Sequence, residues 1–189
     1  MALICGILDS DIADLEGAPN VVIAGSMKKT ERNHGYLVCE AIRSAIVLSH
    51  TNRQVQYRVW GVDLTAESCY RDIVEGLRWI GGCHILNVSM GWKAHDPDIA
   101  NIIRSIRCFV AHSQDVQYPA LYIDESNGSK VVHDSADLVL DGRVCTGTSF
   151  GCAMATAEWL LRHEARENRP LMVPEVLPTK QITYRQINV

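Results

Sequence analysis

The sequence predicts an α/β fold: a mostly parallel sheet covered by helices on both faces. Two observations predict it. Short apolar runs bounded by turn formers alternate with longer segments whose apolar residues recur at helical spacing. Strands separated by helical segments imply right-handed crossovers, which lay helices on the two faces of a parallel sheet. A chain of 189 residues is most simply one domain, long enough to bury a sizeable core.

In chain order, residues 3–8 (LICGIL) and 20–25 (NVVIAG) are the first two strands. The segment 35–49 is a helix, with Leu37, Val38, Ala41, Ile42 and Ala45 on one apolar stripe. Residues 55–62 (VQYRVWGV) are β-branched and aromatic, hence strand. The segment 67–80 is an amphipathic helix supported by a Glu67–Arg71 pair at i, i+4 spacing. Strands at 84–90 and 107–113 enclose a helix over 98–107. Shorter strands follow at 120–124, 129–134 and 136–141, then a small-residue helix after the turn Gly147-Thr148-Ser149. The prolines at 170, 174 and 178 mark residues 170–189 as a C-terminal arm or tail beyond a 1–169 domain.

Bulk properties exclude several classes. An apolar fraction of 47 % is ordinary for a globular protein, and a net charge of −4 gives no electrostatic footprint for nucleic acid. No window holds the ~18 uninterrupted apolar residues of a membrane span. The start carries no charged n-region or cleavage site. The seven cysteines are odd in number, scattered and without a CxxC pair, which suits a reducing compartment and argues against a zinc ribbon. These features predict a cytoplasmic protein with no membrane or nucleic-acid partner.

In open α/β sheets chemistry gathers where strands end and helices begin. Asp9 ends the first strand, His34 precedes the first long helix, and Ser149 opens the last one. A serine needs a base to become a nucleophile, a histidine can be that base, and a carboxylate can fix its tautomer. A helix N-terminus also stabilises a developing oxyanion. Each residue has an ordinary role as well: Asp as a turn former, His as a surface group, Ser as an N-cap. His112 and His133 read as structural or surface groups, with no metal expected.

These junctions resemble those of the subtilisin-like serine proteases, which run Asp, His, Ser in chain order. Residues 6–12 (GILDSDI) are similar to that family's strand ending in Asp-Ser/Thr-Gly, and 33–42 (NHGYLVCEAI) to its His-Gly-Thr-His segment. Residues 85–91 (ILNVSMG) resemble its Asn-x-Ser-Leu-Gly strand, and 147–161 (GTSFGCAMATAEWLL) its Gly-Thr-Ser-Met-Ala-x-Pro helix. Residues 109–122 (FVAHSQDVQYPALY) resemble the segment that carries the oxyanion asparagine. The match covers roughly residues 3–165 in register and implies a three-layer subtilisin-like fold with an Asp9–His34–Ser149 triad.

The departures matter. Asp11 stands where the family has glycine, Leu37 where it has a second histidine, and Ala153 where it has the helix proline. The oxyanion asparagine falls near Gln114, whose amide can donate the same bond from a longer arm. The resemblance also implies a peptide bound as an added strand between Ser89-Met90-Gly91 and Ala111-His112-Ser113, with Gln117 near the base of the first pocket. No calcium-loop insertion is present, so no obligatory calcium or other cofactor is expected. The expectation is a serine endopeptidase for limited processing of a peptide or protein precursor, restrained by narrow recognition or by a biosynthetic or regulatory protein partner. The alternative is a catalytically impaired subtilisin-like domain that binds peptides or acts as a scaffold. A nucleotide-binding sheet is the weaker rival, since no glycine-rich phosphate loop occurs. Cys145 and Cys152 flank the serine and offer a lesser, cysteine-based variant.

Overall fold

The computed structural model describes residues 2–49, 54–91, 96–112 and 122–168, with side chains through 163. Eight strands and four helices are described: β1 (Leu3–Asp9), β2 (Val21–Gly25), α1 (His34–Leu48), β3 (Val55–Gly61), α2 (Cys69–Ile80), β4 (Ile85–Val88), α3 (Pro97–Ser105), β5 (Cys108–Ala111), β6 (Lys130–Val132), β7 (Ala136–Leu140), β8 (Arg143–Gly147) and α4 (Thr148–Asn168). The first six strands form one sheet in the order β2-β3-β1-β4-β5-β6, and every pairing in it is parallel. The β7–β8 hairpin is a separate antiparallel pair.

Two apolar clusters cover the sheet. One holds Cys5, Ile7, Val38, Ile42, Cys152, Ala153 and Leu160, so it lies under α1 and α4. The other holds Leu8, Ile73, Leu77, Ile80, Ile99 and Ile103, under α2 and α3. β1 and β4 serve both because their residues are buried on each face. The chain is therefore an α/β protein with helices on both sides of a parallel sheet.

Two expectations are corrected, and one strand is added. Residues 122–124 are not strand; a short 3-10 turn over Glu125–Asn127 leads into β6. Arg71 pairs with Glu75 at 3.2 Å rather than with Glu67, because α2 begins only at Cys69 and Glu67 precedes its first turn. Residues 143–147 form β8, the second arm of a hairpin, before the last helix starts. The expected tail, 170–189, lies outside the described residues. No described helix is long and apolar enough to cross a membrane.

The topology places a crevice. The connection leaving β1 runs toward β2, and the one leaving β4 runs toward β5, on opposite sides of the sheet order. Adjacent strands whose connections diverge leave an opening at their carboxyl ends. Asp9 ends β1 there, and Ser89 follows β4 beside it.

Candidate functional site

The first turn of α1 is bonded to the end of β1 by backbone alone. Gly35 N–H donates to the Ser10 carbonyl at 2.9 Å, and Tyr36 N–H to the Asp11 carbonyl at 3.2 Å. These bonds satisfy helix donors that otherwise need a capping side chain, and Asn33 supplies none. The approach is so close that a Cβ on Gly35 would sit 2.1 Å from the Ser10 oxygen. A glycine directly after His34 is therefore what lets the histidine reach the strand end.

That contact sets the central pair of the site. Asp9 Oδ1 lies 2.7 Å from His34 Nδ1 and also accepts from the Ser10 N–H at 2.7 Å. Asp9 is fully buried, while 29 % of the His34 side chain is exposed. The Asp9 carboxylate, above all by its charge, holds the His34 pKa above the ordinary imidazole value; burial opposes this, and Asp11 adds to the rise. With Nδ1 tied to a carboxylate, the outward Nε2 of neutral His34 is the basic nitrogen. Asp9 Oδ2 has no hydrogen-bond partner among the described residues.

Ser149 is fixed from the other side. Ser89 Oγ lies 2.9 Å from Asn87 Oδ1 and 3.3 Å from the Ser149 carbonyl, so its single proton serves two acceptors. Asn87, fully buried, donates through Nδ2 to Thr156 Oγ1 at 3.0 Å. Thr148 Oγ1 donates to the His112 carbonyl at the end of β5. The first three turns of α4 are thus bolted to β4 and the end of β5. Small residues permit it: a Cβ on Gly151 would lie 1.8 Å from the Asp134 carbonyl oxygen, which crosses this turn.

Asp9, His34 and Ser149 therefore converge at one end of the sheet, and Phe150 carries its ring to 6.0 Å from that of His34. The Ser149 hydroxyl does not bond to His34, however. It donates instead to the Ser89 carbonyl at 3.3 Å. Beside the Asp9–His34 pair opens a cleft of about 630 Å³, lined by Asp9, Ser10, Asp11, Thr30, His34, Val62, Ser89 and Met90 among others.

The expected peptide-binding segments meet mixed ends. Ser89 and Met90 line the cleft, although Met90 is also core, packed with the α2–α3 cluster. Gly91 is half-buried just beyond them, and Ala111 is half-buried at the end of the interior strand β5. His112 offers no free strand edge: its N–H donates to the Val132 carbonyl at 2.8 Å and its own carbonyl is taken by Thr148. Its ring packs on His133 at 4.4 Å between centroids. Ser113, Gln114 and Gln117 lie outside the described residues.

Sequence reasoning overlooked Asn87 and Thr156 as the links between sheet and helix. An asparagine in the middle of an apolar strand and a threonine eight residues into an apolar helix were the available signals, since buried polar groups require partners. The flanking thiols are poor nucleophiles. Burial pushes the Cys152 thiol up to about 12 and raises that of Cys145, so neither is ionised near neutrality. Among the described residues no group of three or more His, Cys, Asp or Glu is placed to hold a metal ion. In comparisons with known proteins, no family model matches the chain and no curated protein is significantly similar to it.

Proposed function

We propose that the chain is a serine endopeptidase of subtilisin-like architecture that cleaves a peptide or protein precursor. The observation that carries this reading is the buried Asp9 carboxylate bonded at 2.7 Å to His34 in a cleft that Ser89 also lines, Ser89 being the residue whose carbonyl accepts from the Ser149 hydroxyl at the start of α4. On substrate binding the Ser149 hydroxyl leaves the Ser89 carbonyl and turns toward His34. His34 Nε2 takes its proton as Oγ bonds to the scissile carbonyl carbon, and Asp9 stabilises the imidazolium. The resulting oxyanion sits at the N-terminus of α4, where the Ser149 N–H and the helix dipole favour negative charge. His34 then returns the proton to the leaving amine, and a water molecule, activated by His34, hydrolyses the acyl-enzyme.

Limited intracellular processing, with a regulatory or biosynthetic protein partner, is the setting we infer for this activity. The parallel sheet, the Asp-His-Ser order and the junction motifs support the resemblance that suggests it. One observation favours a second reading, a catalytically impaired domain that binds peptide. The Ser149 proton is directed at Ser89 rather than at the base.

Covalent labelling by a fluorophosphonate separates the two. The reagent should modify Ser149, as read by peptide mass mapping, and should fail on a Ser149→Ala variant. A folded protein that resists the reagent at every pH from 6 to 9 would point to the peptide-binding reading.

A further inference from the structure

The cleft beside His34 holds a second carboxylate that the proposed chemistry does not use. Asp11 is only 8 % exposed and lines the cleft two residues beyond Asp9. Its backbone carbonyl accepts from the Tyr36 N–H, so it is wedged between the end of β1 and the start of α1, close to His34. Its Oδ2 accepts from the neutral hydroxyls of Thr30 at 2.8 Å and Ser10 at 3.4 Å. Among the described residues the buried Oδ2 of Asp9, another residue lining this cleft, has no hydrogen-bond partner.

Two cations, Lys28 and Arg32, line the same cleft, with the acids Glu31 and Asp63 beside them, but neither cation is bonded to Asp11. Lys28 is bonded to Asp63 at 3.1 Å and to Thr65 at 2.6 Å. Lys29 is bonded to Asp14 at 2.5 Å. Arg32 is exposed and forms no ion pair among the described residues. No cationic side chain pairs with Asp11, and buried charges are ordinarily paired. A buried carboxylate that opens onto a roomy cleft without a counter-ion is suited to receive one from a ligand.

We propose that Asp11 determines specificity, receiving the ammonium or guanidinium of a lysine or arginine side chain next to the scissile bond of the peptide. This deepens the endopeptidase reading and rests on it for the words "scissile bond". The subsite itself depends only on the cleft and its charge. Asp11 also holds Thr30, a structural role that must be separated from recognition. Asparagine keeps a carbonyl oxygen for Thr30 and tolerates the left-handed backbone at this position, where φ is 53°. Asp11→Asn therefore removes the charge, and with it the Asp11 share of the raised His34 pKa, while keeping an acceptor for Thr30.

The test measures binding of fluorescent hexapeptides to the Ser149→Ala protein, which cannot turn them over by the proposed route. The peptides are identical except for lysine, arginine, norleucine or glutamate placed at each central position in turn. At one position, lysine and arginine should bind at least about tenfold more tightly than norleucine, and glutamate more weakly still. The preference should shrink with added salt and vanish in Asp11→Asn, while affinity for the norleucine peptide stays the same. Equal affinity for lysine and norleucine at every position would overturn the proposal, as would a preference that survives Asp11→Asn. If Asp11→Asn does not fold, Asp11→Gly, which suits the same left-handed backbone, takes its place in the comparison. Failure of fluorophosphonate labelling alongside an intact lysine preference would remove the protease and leave the subsite. Labelling without any cationic preference would do the reverse.

Discussion

His34 is the residue on which the site's pH behaviour turns. A general base must be neutral, and Asp9 first, then Asp11, hold its pKa above the ordinary value of 6.5. The proposed peptide hydrolysis should therefore rise with pH and reach half its plateau above pH 6.5. Asp9→Asn removes the largest cause, so the midpoint should move down while the plateau falls by up to ~10⁴, the loss of a tautomer-fixing carboxylate. Stability moves the opposite way with pH. A group whose pKa is raised by folding contributes fully below its unfolded value and loses that contribution as pH climbs through the folded value. The urea midpoint of the parent protein should thus decline between about pH 6.5 and 8, before thiols titrate, and should be flatter in His34→Gln. A midpoint of activity below pH 6, or a stability that rises over this window, would mean that His34 does not sit as a charged partner of Asp9.

At the scale of elements, the site depends on how closely two helix starts approach two strand ends. Gly151 faces the Asp134 carbonyl with no room for a methyl group, and the obstacle is backbone rather than a yielding side chain. Gly151→Ala should cost about 1–3 kcal/mol in urea unfolding, the usual range for overpacking, and should reduce Ser149 labelling in the protein that remains folded. An alanine tolerated without loss would place the 134–135 segment away from α4. Much of this element structure is legible in the sequence. The apolar run through Leu3–Leu8, the stripe Leu37, Val38, Ala41 and Ile42, and the strand-end position of Asp9 all follow from periodicity and turn formers. Other parts were not legible. β8 alternates an exposed Arg143, Val144 and Thr146 with a buried Cys145, too short and polar a signal to separate from a loop. The apolar run 120–124 reads as strand by composition, yet Tyr122 is buried in the α2–α3 cluster without extending the sheet. The direction of the Ser149 hydroxyl depends on a rotamer, which no pattern of residue types encodes.

At the scale of the whole molecule, the cysteines report how the fold is held together. All seven are free thiols; five are buried and two, Cys69 and Cys83, are partly exposed. Cys5, Cys39, Cys108 and Cys152 are fully buried between sheet and helices, and desolvation raises the pKa of each. A thiol reagent needs the thiolate, so these four should react only when the sheet and its helices separate. Iodoacetamide at pH 8 should modify Cys69 quickly in the native protein, and the buried four only in urea, all together, as mass spectrometry would resolve. The same shifts set a sign at high pH. Once pH passes about 8.5 the unfolded thiols ionise and the buried ones do not, so the melting temperature should fall further as pH rises toward 10. Reductant and chelator together should leave it unchanged, because the stability then comes from the two apolar clusters rather than from cross-links or a bound ion. A drop of several degrees in chelator alone would require an ion that the fold depends on, and a drop in reductant alone would require a disulfide. Graded modification of the four buried thiols, one after another in native buffer, would show that the two faces of the sheet open independently.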